Sequence, residues 1–364
     1  MTDQALRIAV VAPPWFELPP QGYGGIEAVC ADLIDALIAR GHEVTLVGAG
    51  HNGTQARFVQ TYDTAQGARI GEPLPELVHA AAVGEILEDL DVDLVHDHTL
   101  AGPLLARGRD VPTVHTTHGV VTGEPGEYYR RLGTSVQLVA ISDAQRATAP
   151  DLNWTATVHN AVHVDDFPFR EDKEDWVLFL GRATPDKGMH LAIDAARDAG
   201  LPIKLAAKCT EPAERAYFEA EIRPRLGAGV DWLGEVGGET KKELLAAARC
   251  LLFPVRWEEP FGMVMIEAMA CGTPVVALRR GSVPEVVTHG ATGLICDHPR
   301  ELPDALDAVR GIEPAQCRKN VLTRFHPDAM AAGYENAYLQ ALARSARPRD
   351  LANPRTRWPR SAAA

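Results

Sequence analysis

The stretch EEPFGMVMIEAMACGTPVV places two carboxylates, Glu259 and Glu267, with seven residues between them, across a segment of helical composition. Pro260 and Gly262 mark the start of that helix and Gly272 its end. Glu259 then lies just ahead of the helix and Glu267 about two turns in. At 1.5 Å rise per residue the acids stand roughly 12 Å apart along the axis. Paired acid and base carboxylates acting on one glycosidic bond stand about 5 to 9.5 Å apart, so these two are expected to serve different parts of one long ligand. Between them is a helix N-terminus whose free N–H groups, from Phe261 and Gly262 to Met263 and Val264, attract anions. A carboxylate, an anion site and a second carboxylate match a ligand with hydroxyls at both ends and phosphates between. A nucleotide sugar has that layout.

Other stretches supply cations and close-approach glycines. In GRATPDKG, Gly181 allows the backbone near a ligand, while Arg182 and Lys187 flank a turn. A guanidinium fork and a mobile ammonium suit a diphosphate. In QGYGGIEAV, Gly24 and Gly25 lead straight into a helix, which makes a second anion-attracting terminus. A dinucleotide fingerprint would need its glycines directly after the strand; here a long Pro-rich loop intervenes, which disfavours a Rossmann dehydrogenase. Four histidines, His96, His98, His115 and His118, cluster in HDH and HTTHG. They could hold a metal, but a role in lining a cleft and bonding a hydroxylated ligand suits them better. His118, just past a strand and before Gly119, is the best placed. No metal site is expected.

These residues follow strands. The chain alternates short apolar runs with longer helical patterns, the signature of βαβ units and parallel sheets. RIAVVAP, HEVTLVGAG, DVDLVHDH, VPTVHTTHG, SVQLVAIS and TATVHNAV form one series. VDDFPFREDKED (164–175) is polar, lacks a period and reads as a linker. WVLFLGR, IKLAAK, VDWLG, CLLFPV, PVVAL and TGLIC form a second series. The expected fold is α/β, with two doubly wound Rossmann-like domains (1–165 and 176–325) facing each other across a cleft. Ligands of open parallel sheets bind beyond the carboxyl ends of the strands, where nearly all the polar and Gly-rich chemistry falls. The last helical pattern (326–346) can pack across either domain.

Composition sets outer bounds. With 36 Lys and Arg against 49 Asp and Glu, the net charge of −13 argues against a nucleic-acid binder. Six scattered cysteines lack metal-ligand spacing and read as buried thiols. No apolar run reaches membrane-span length and the N-terminus does not read as a signal peptide, so a cytoplasmic location is expected. From Arg344 onward there are six Arg against one Asp; 345–364 reads as a disordered basic tail that leaves peripheral membrane contact open.

Taken together, these motifs resemble those of family 4 glycosyltransferases, which are retaining enzymes of GT-B fold. Glu259-x7-Glu267 within EPFG-to-GTPVV resembles the family signature and GRATPDKG its diphosphate turn. GYGGIE resembles its glycine loop, HTTHG its histidine turn, and VHNAVHVDDF its domain-joining segment. The resemblance, over about residues 6 to 340, implies specific roles. Glu259 would contact the donor hexose and Glu267 the ribose. Arg182 and Lys187 would neutralise the diphosphate, with help from the N–H groups of Met263 and Val264 and from Gly25. His118 would lie near the transferred sugar, Lys208 near the base pocket, and helix 326–344 would cross back onto the first domain. It also implies a UDP- or GDP-sugar donor, a hydroxyl acceptor and no cofactor. The chain departs from the family at Ala161, Ala207 and Ser282, where glycine is frequent. A nucleotide-sugar 2-epimerase and a non-catalytic nucleotide-sugar-binding protein are the alternatives; a pyridoxal-phosphate phosphorylase would need a lysine in a setting that neither Lys204 nor Lys208 has.

Overall fold

The computed structural model describes residues 5–20, 22 and 24–345. The basic tail from 346 onward, Gln21 and Tyr23 lie outside the described residues. The first lobe is built on β1 (Arg7–Val11), β2 (Glu43–Ala49), β3 (Arg57–Tyr62), β4 (Leu94–Asp97), β5 (Thr113–Thr117), β6 (Gln137–Ala140) and β7 (Trp154–Thr157). They form one sheet of order β3-β2-β1-β4-β5-β6-β7, with parallel pairing throughout. Helices α1 (Gly25–Ala39), α2 (Pro73–Asp89), α3 (Gly123–Leu132) and α4 (Asp143–Thr148) make the crossovers. The second lobe has β8 (Val177–Arg182), β9 (Ile203–Lys208), β10 (Val230–Gly234), β11 (Cys250–Phe253), β12 (Val275–Leu278) and β13 (Gly293–Cys296), ordered β10-β9-β8-β11-β12-β13. Its helices are α5 (Met189–Asp198), α6 (Pro212–Tyr217), α7 (Gly238–Ala247), α8 (Met263–Ala270), α9 (Val283–Val286), α10 (Leu302–Ala308) and α11 (Pro314–Arg324), with α12 (Pro327–Ser345) closing the described chain.

The central strands are apolar runs because helices cover both faces; Ile8, Ala9, Val10 and Val11 of β1 and Leu251 and Leu252 of β11 have no solvent exposure. β3 was not anticipated. RFVQTY has no apolar run, since it is an edge strand whose residues are exposed or only half buried. The segment 164–175, read as a linker, is fastened to the second lobe: Lys173 Nζ donates to the carbonyls of Ala246 and Cys271 and to Thr273 Oγ1, and Phe167 is buried.

α12 packs on α1, β5 and β7 of the first lobe. Tyr334 and Tyr338 are fully buried there. Their hydroxyls are hydrogen-bonded to Thr116 Oγ1 (2.9 Å) and His96 Nδ1 (2.8 Å). No helix among the described residues is long and apolar enough to cross a membrane.

Candidate functional site

Three loops leaving the carboxyl ends of β8, β11 and β12 converge on Glu259. The loop after β8 ends at Gly188, whose φ of 73° is left-handed and whose missing Cβ lets it lie against the Pro254 carbonyl beyond β11. Arg256 N donates to Asp186 O at 2.8 Å and fixes the same two loops together. From the third loop, Ser282 N donates to Glu259 O at 2.9 Å, Gly281 N to the Glu258 carboxylate at 2.7 Å, and Ser282 Oγ to Phe261 O at 2.8 Å. Gly281 has φ of 50°, and a Cβ there would overlap the Glu259 backbone.

This convergence determines where Glu259 points. The residue is 7% exposed. Its Oε2 accepts from Lys187 Nζ at 2.5 Å and from Trp257 Nε1 at 3.0 Å. Lys187 Nζ also stands 5.0 Å from the Trp257 ring centroid, within cation–π range. A buried carboxylate is tolerable when paired and hydrogen-bonded, and both conditions hold. Lys187 and Glu259 are therefore brought into direct contact.

Gly262 caps α8 with φ of 76°, so the helix begins only at Met263. Glu267 is consequently about one turn in, not two as the sequence suggested. The half-buried Met263 and Val264 carry the first helical amides, which have no intrahelical acceptor; Phe261 itself is buried just outside the helix. Glu267 Oε1 accepts from Lys241 Nζ of α7 at 2.8 Å. Arg182, at the end of β8, turns toward Glu214 of α6, with Nε 3.4 Å from Oε1. Glu214 is 1% exposed, and its other oxygen accepts from Thr210 N and Glu211 N. Lys208, Arg182's neighbour across β8 and β9, reaches Glu211 at 3.3 Å. Gly181 has only the Phe179 ring within 4 Å of a would-be Cβ.

Facing these loops are the carboxyl ends of the first sheet. Gly24 caps α1 from outside with φ of 147°, and a Cβ there would strike Pro20 at 2.7 Å, whereas a Cβ on Gly25 would meet none of the described residues within 4 Å. The loop reaches the second lobe, since a Cβ on Gly237 would lie 3.6 Å from Gly22 Cα. Glu27, in the first turn of α1, is buried, which pushes its carboxyl up to about 7. His118 Nε2 is hydrogen-bonded to His98 Nδ1 at 2.8 Å, and the His98 ring is 4.1 Å from that of His96. Burial, with neighbouring His115, lowers His118 to about 3, so it is a neutral imidazole at physiological pH.

A further contact joins the lobes. Glu285 of α9 accepts from the backbone N–H of Asp143 (2.8 Å) and Ala144 (2.6 Å) at the start of α4, and pairs with His159 Nε2 at 3.1 Å. Met263 packs against the cores of both lobes. Sequence reasoning missed Lys241, Trp257, Glu214 and Glu285. Trp257 adjoins the acidic signature and could have been read with it; the others sit in ordinary helical patterns and carry no local signal.

Two parallel, doubly wound lobes whose strand ends confront one another define the GT-B architecture of glycosyltransferases. Residues 164–315 match the family of glycosyl transferases group 1, and residues 23–166 match glycosyltransferase family 4. The chain belongs to this group 1, family 4-type glycosyltransferase family. It is 26% identical over 343 residues to an uncharacterized glycosyltransferase of Methanocaldococcus jannaschii, covering 79% of this chain and 84% of that one. It is 28% identical over 337 residues to alpha-maltose-1-phosphate synthase of Mycobacterium tuberculosis, again covering 79% and 84%. Among solved structures it is similar to AviGT4, a glycosyltransferase involved in avilamycin A biosynthesis, with TM-score 0.70, 27% identity, and coverage of 93% of this chain and 98% of that one.

Proposed function

We propose that this glycosyltransferase moves a hexose from a nucleoside-diphosphate sugar, UDP- or GDP-linked, to a hydroxyl acceptor with retention of anomeric configuration, and that it needs no metal or cofactor. The observation that carries this reading is the Lys187–Glu259 contact at 2.5 Å beside the α8 N-terminus. It sets a cation, an acceptor for sugar hydroxyls and unpaired helix amides within one small region.

In this reading Glu259 accepts from hexose hydroxyls while Lys187, Arg182 and the amides of Met263 and Val264 hold the diphosphate. As the sugar–phosphate bond breaks, negative charge builds on the β-phosphate. Groups preoriented toward that charge stabilise it without reorganisation. The acceptor hydroxyl attacks from the face the phosphate leaves, and its proton passes to the departing phosphate oxygen. Glu267, steadied by Lys241, takes the ribose hydroxyls. His118, Gly24 and Gly25 close the sugar from the first lobe, and Lys208 with Gly181 borders the base side.

The test is a thermal-shift screen of the purified protein against UDP-, GDP- and ADP-sugars, followed by NMR of the anomeric proton in any product. Stabilisation by at least one sugar nucleotide and an α-linked product from an α-linked donor are expected. Conversion of the donor to its 2-epimer, or binding without any turnover across acceptors, would overturn the assignment.

A further inference from the structure

Of the eleven large hydrophobic side chains exposed among the described residues, eight fall between positions 70 and 120, in the first lobe. They are not scattered. Leu74 and Leu77 of α2 are 61% and 51% exposed, Leu100 is 57% and Leu104 is 55%. The inward face of α2 is filled separately by His79, Ala80 and Val83, so the helix carries a second apolar face, Leu74, Leu77 and Val78, that the described residues leave exposed.

The pieces form one surface. Glu76 Oε1 accepts from the backbone N–H of Leu100 and of Ala101, and Tyr128 OH donates to Leu100 O. Segment 102–106 lies against α2, since a Cβ on Gly84 would meet Leu105 Cδ1 at 3.3 Å. The backbone of the loop after β4 is thus fastened on both sides while its leucines point outward. Contiguous exposed apolar surface on a soluble protein marks a binding face.

Its position says what binds. Leu100 is two residues from His98, which is hydrogen-bonded to His118 at the sugar end of the cleft. The wall therefore begins where the acceptor hydroxyl must arrive and runs away from the donor. We propose that the acceptor hydroxyl is carried on an apolar aglycone, which lies along Leu100, Leu104, Leu74 and Leu77 while its hydroxyl reaches the His98–His118 end. This rests on the glycosyl-transfer reading above and names its acceptor class. An anionic bilayer is the wrong partner on charge: residues 66–110 hold three Arg and no Lys against nine Asp and Glu.

The test uses the whole protein with the neutral fluorophore N-phenyl-1-naphthylamine, displaced by hexyl, octyl and decyl β-D-glucopyranosides below micelle formation. Wild type binds the probe saturably, and each added methylene of the competitor tightens displacement by up to about fourfold. The exposed-site variant Leu74→Gln/Leu77→Gln/Leu104→Gln loses at least tenfold in competitor affinity. Absence of saturable binding, or equal binding by the variant, overturns the proposal. So does cosedimentation with phosphatidylcholine vesicles that the variant loses and alkyl glucosides do not relieve, or a self-association in sedimentation that the variant abolishes. Thermal shifts with UDP- and GDP-sugars on the same two proteins report the donor site separately. Alkyl-glucoside binding at the wall without any sugar-nucleotide shift would sink the transferase reading alone.

Discussion

Lys187 Nζ and Glu259 Oε2 are 2.5 Å apart, yet 72 residues separate them in the chain. Gly188 and Gly281 make the contact geometry available: the first lets the Lys187 loop lie on the Pro254 carbonyl, and the second lets its loop lie on the Glu259 backbone. If Lys187 stabilises charge that develops during bond cleavage, Lys187→Ala lowers kcat by about 10²- to 10³-fold and changes acceptor KM little. Steady-state kinetics with the best donor of the screen checks this. Equal losses in kcat and acceptor affinity would deny the transition-state role.

Gly281→Ala tests the same site from behind. A Cβ at φ of 50° both strains the backbone and overlaps the Glu259 main chain. The expected outcome is at least a tenfold loss of kcat/KM with a folded protein by circular dichroism, because Glu259 is pushed from its pair with Lys187. Wild-type kinetics would show that the loop contact does not position the acid.

Glu267→Ala is expected to weaken nucleotide binding by about 10- to 100-fold, the scale of a lost hydrogen-bonding pair to a charged group. Lys241→Met leaves the carboxylate in place but unsteadied, so its effect is smaller and in the same direction. Calorimetric titration with UDP and GDP measures both. A larger loss for Lys241→Met would reverse the assigned roles.

Glu285 is a link between lobes. Burial alone would raise its carboxyl, but His159 and the amides of Asp143 and Ala144 outweigh that and hold it below the usual range. Its contribution is therefore present above the unfolded carboxyl value and is lost as pH falls through the lower folded one. Glu285→Ala leaves two amides without their acceptor and costs about 1–3 kcal/mol, with faster hydrogen exchange at Asp143 and Ala144. Unchanged exchange there would mean that the contact does not hold the lobes.

Stability is expected to rise as pH increases from 5 to 6. Burial lowers His79 and His115 to about 4 and His118 to about 3, and takes His96 and His98 well below 6.5. Between those values and 6.5 the unfolded chain binds more protons, so each histidine removes stability as pH falls, by up to about 1.4 kcal/mol per pH unit. Glu27 and Asp32, raised by burial to about 7, and Asp97, raised to about 6, act oppositely: they stay protonated when folded and lose stability as pH rises through those values. Five histidines outweigh three acids between pH 5 and 6, so the net sign there is a gain of stability as pH rises. Urea titrations between pH 5 and 6 check the sign; stability that falls as pH rises across that range would contradict it.

The second sheet was legible in sequence strand by strand, because its inner runs are buried on both faces, the edge strand β10 keeps the apolar Val230, Trp232 and Leu233, and each run ends in Gly, Pro or charge. β3 was not, since an edge strand needs no apolar run. The acids at 259 and 267 and the cations at 182 and 187 could be named from spacing and from their place after strands. Trp257 adjoins the acidic signature and could have been named with it. The partners Lys241 and Glu214 could not: they are chosen by the tilt of loops and helices packed in three dimensions, and no local period records that. The start of α8 was misplaced for a related reason. Pro260 looks like a first helical residue, but the left-handed turn at Gly262 delays the helix to Met263.

α12 belongs to the first lobe, so that lobe is completed only by residues made after the whole second sheet. Residues 177–296 supply every strand of the second sheet without help from either end of the chain. The first sheet buries His96 and Thr116 against Tyr338 and Tyr334, which are made only after every strand of both sheets. During synthesis the later-made half can reach its native packing while the earlier-made half still waits, with polar groups uncovered, for its final clasp. A chain cut short before α12 would strand the half that was made first.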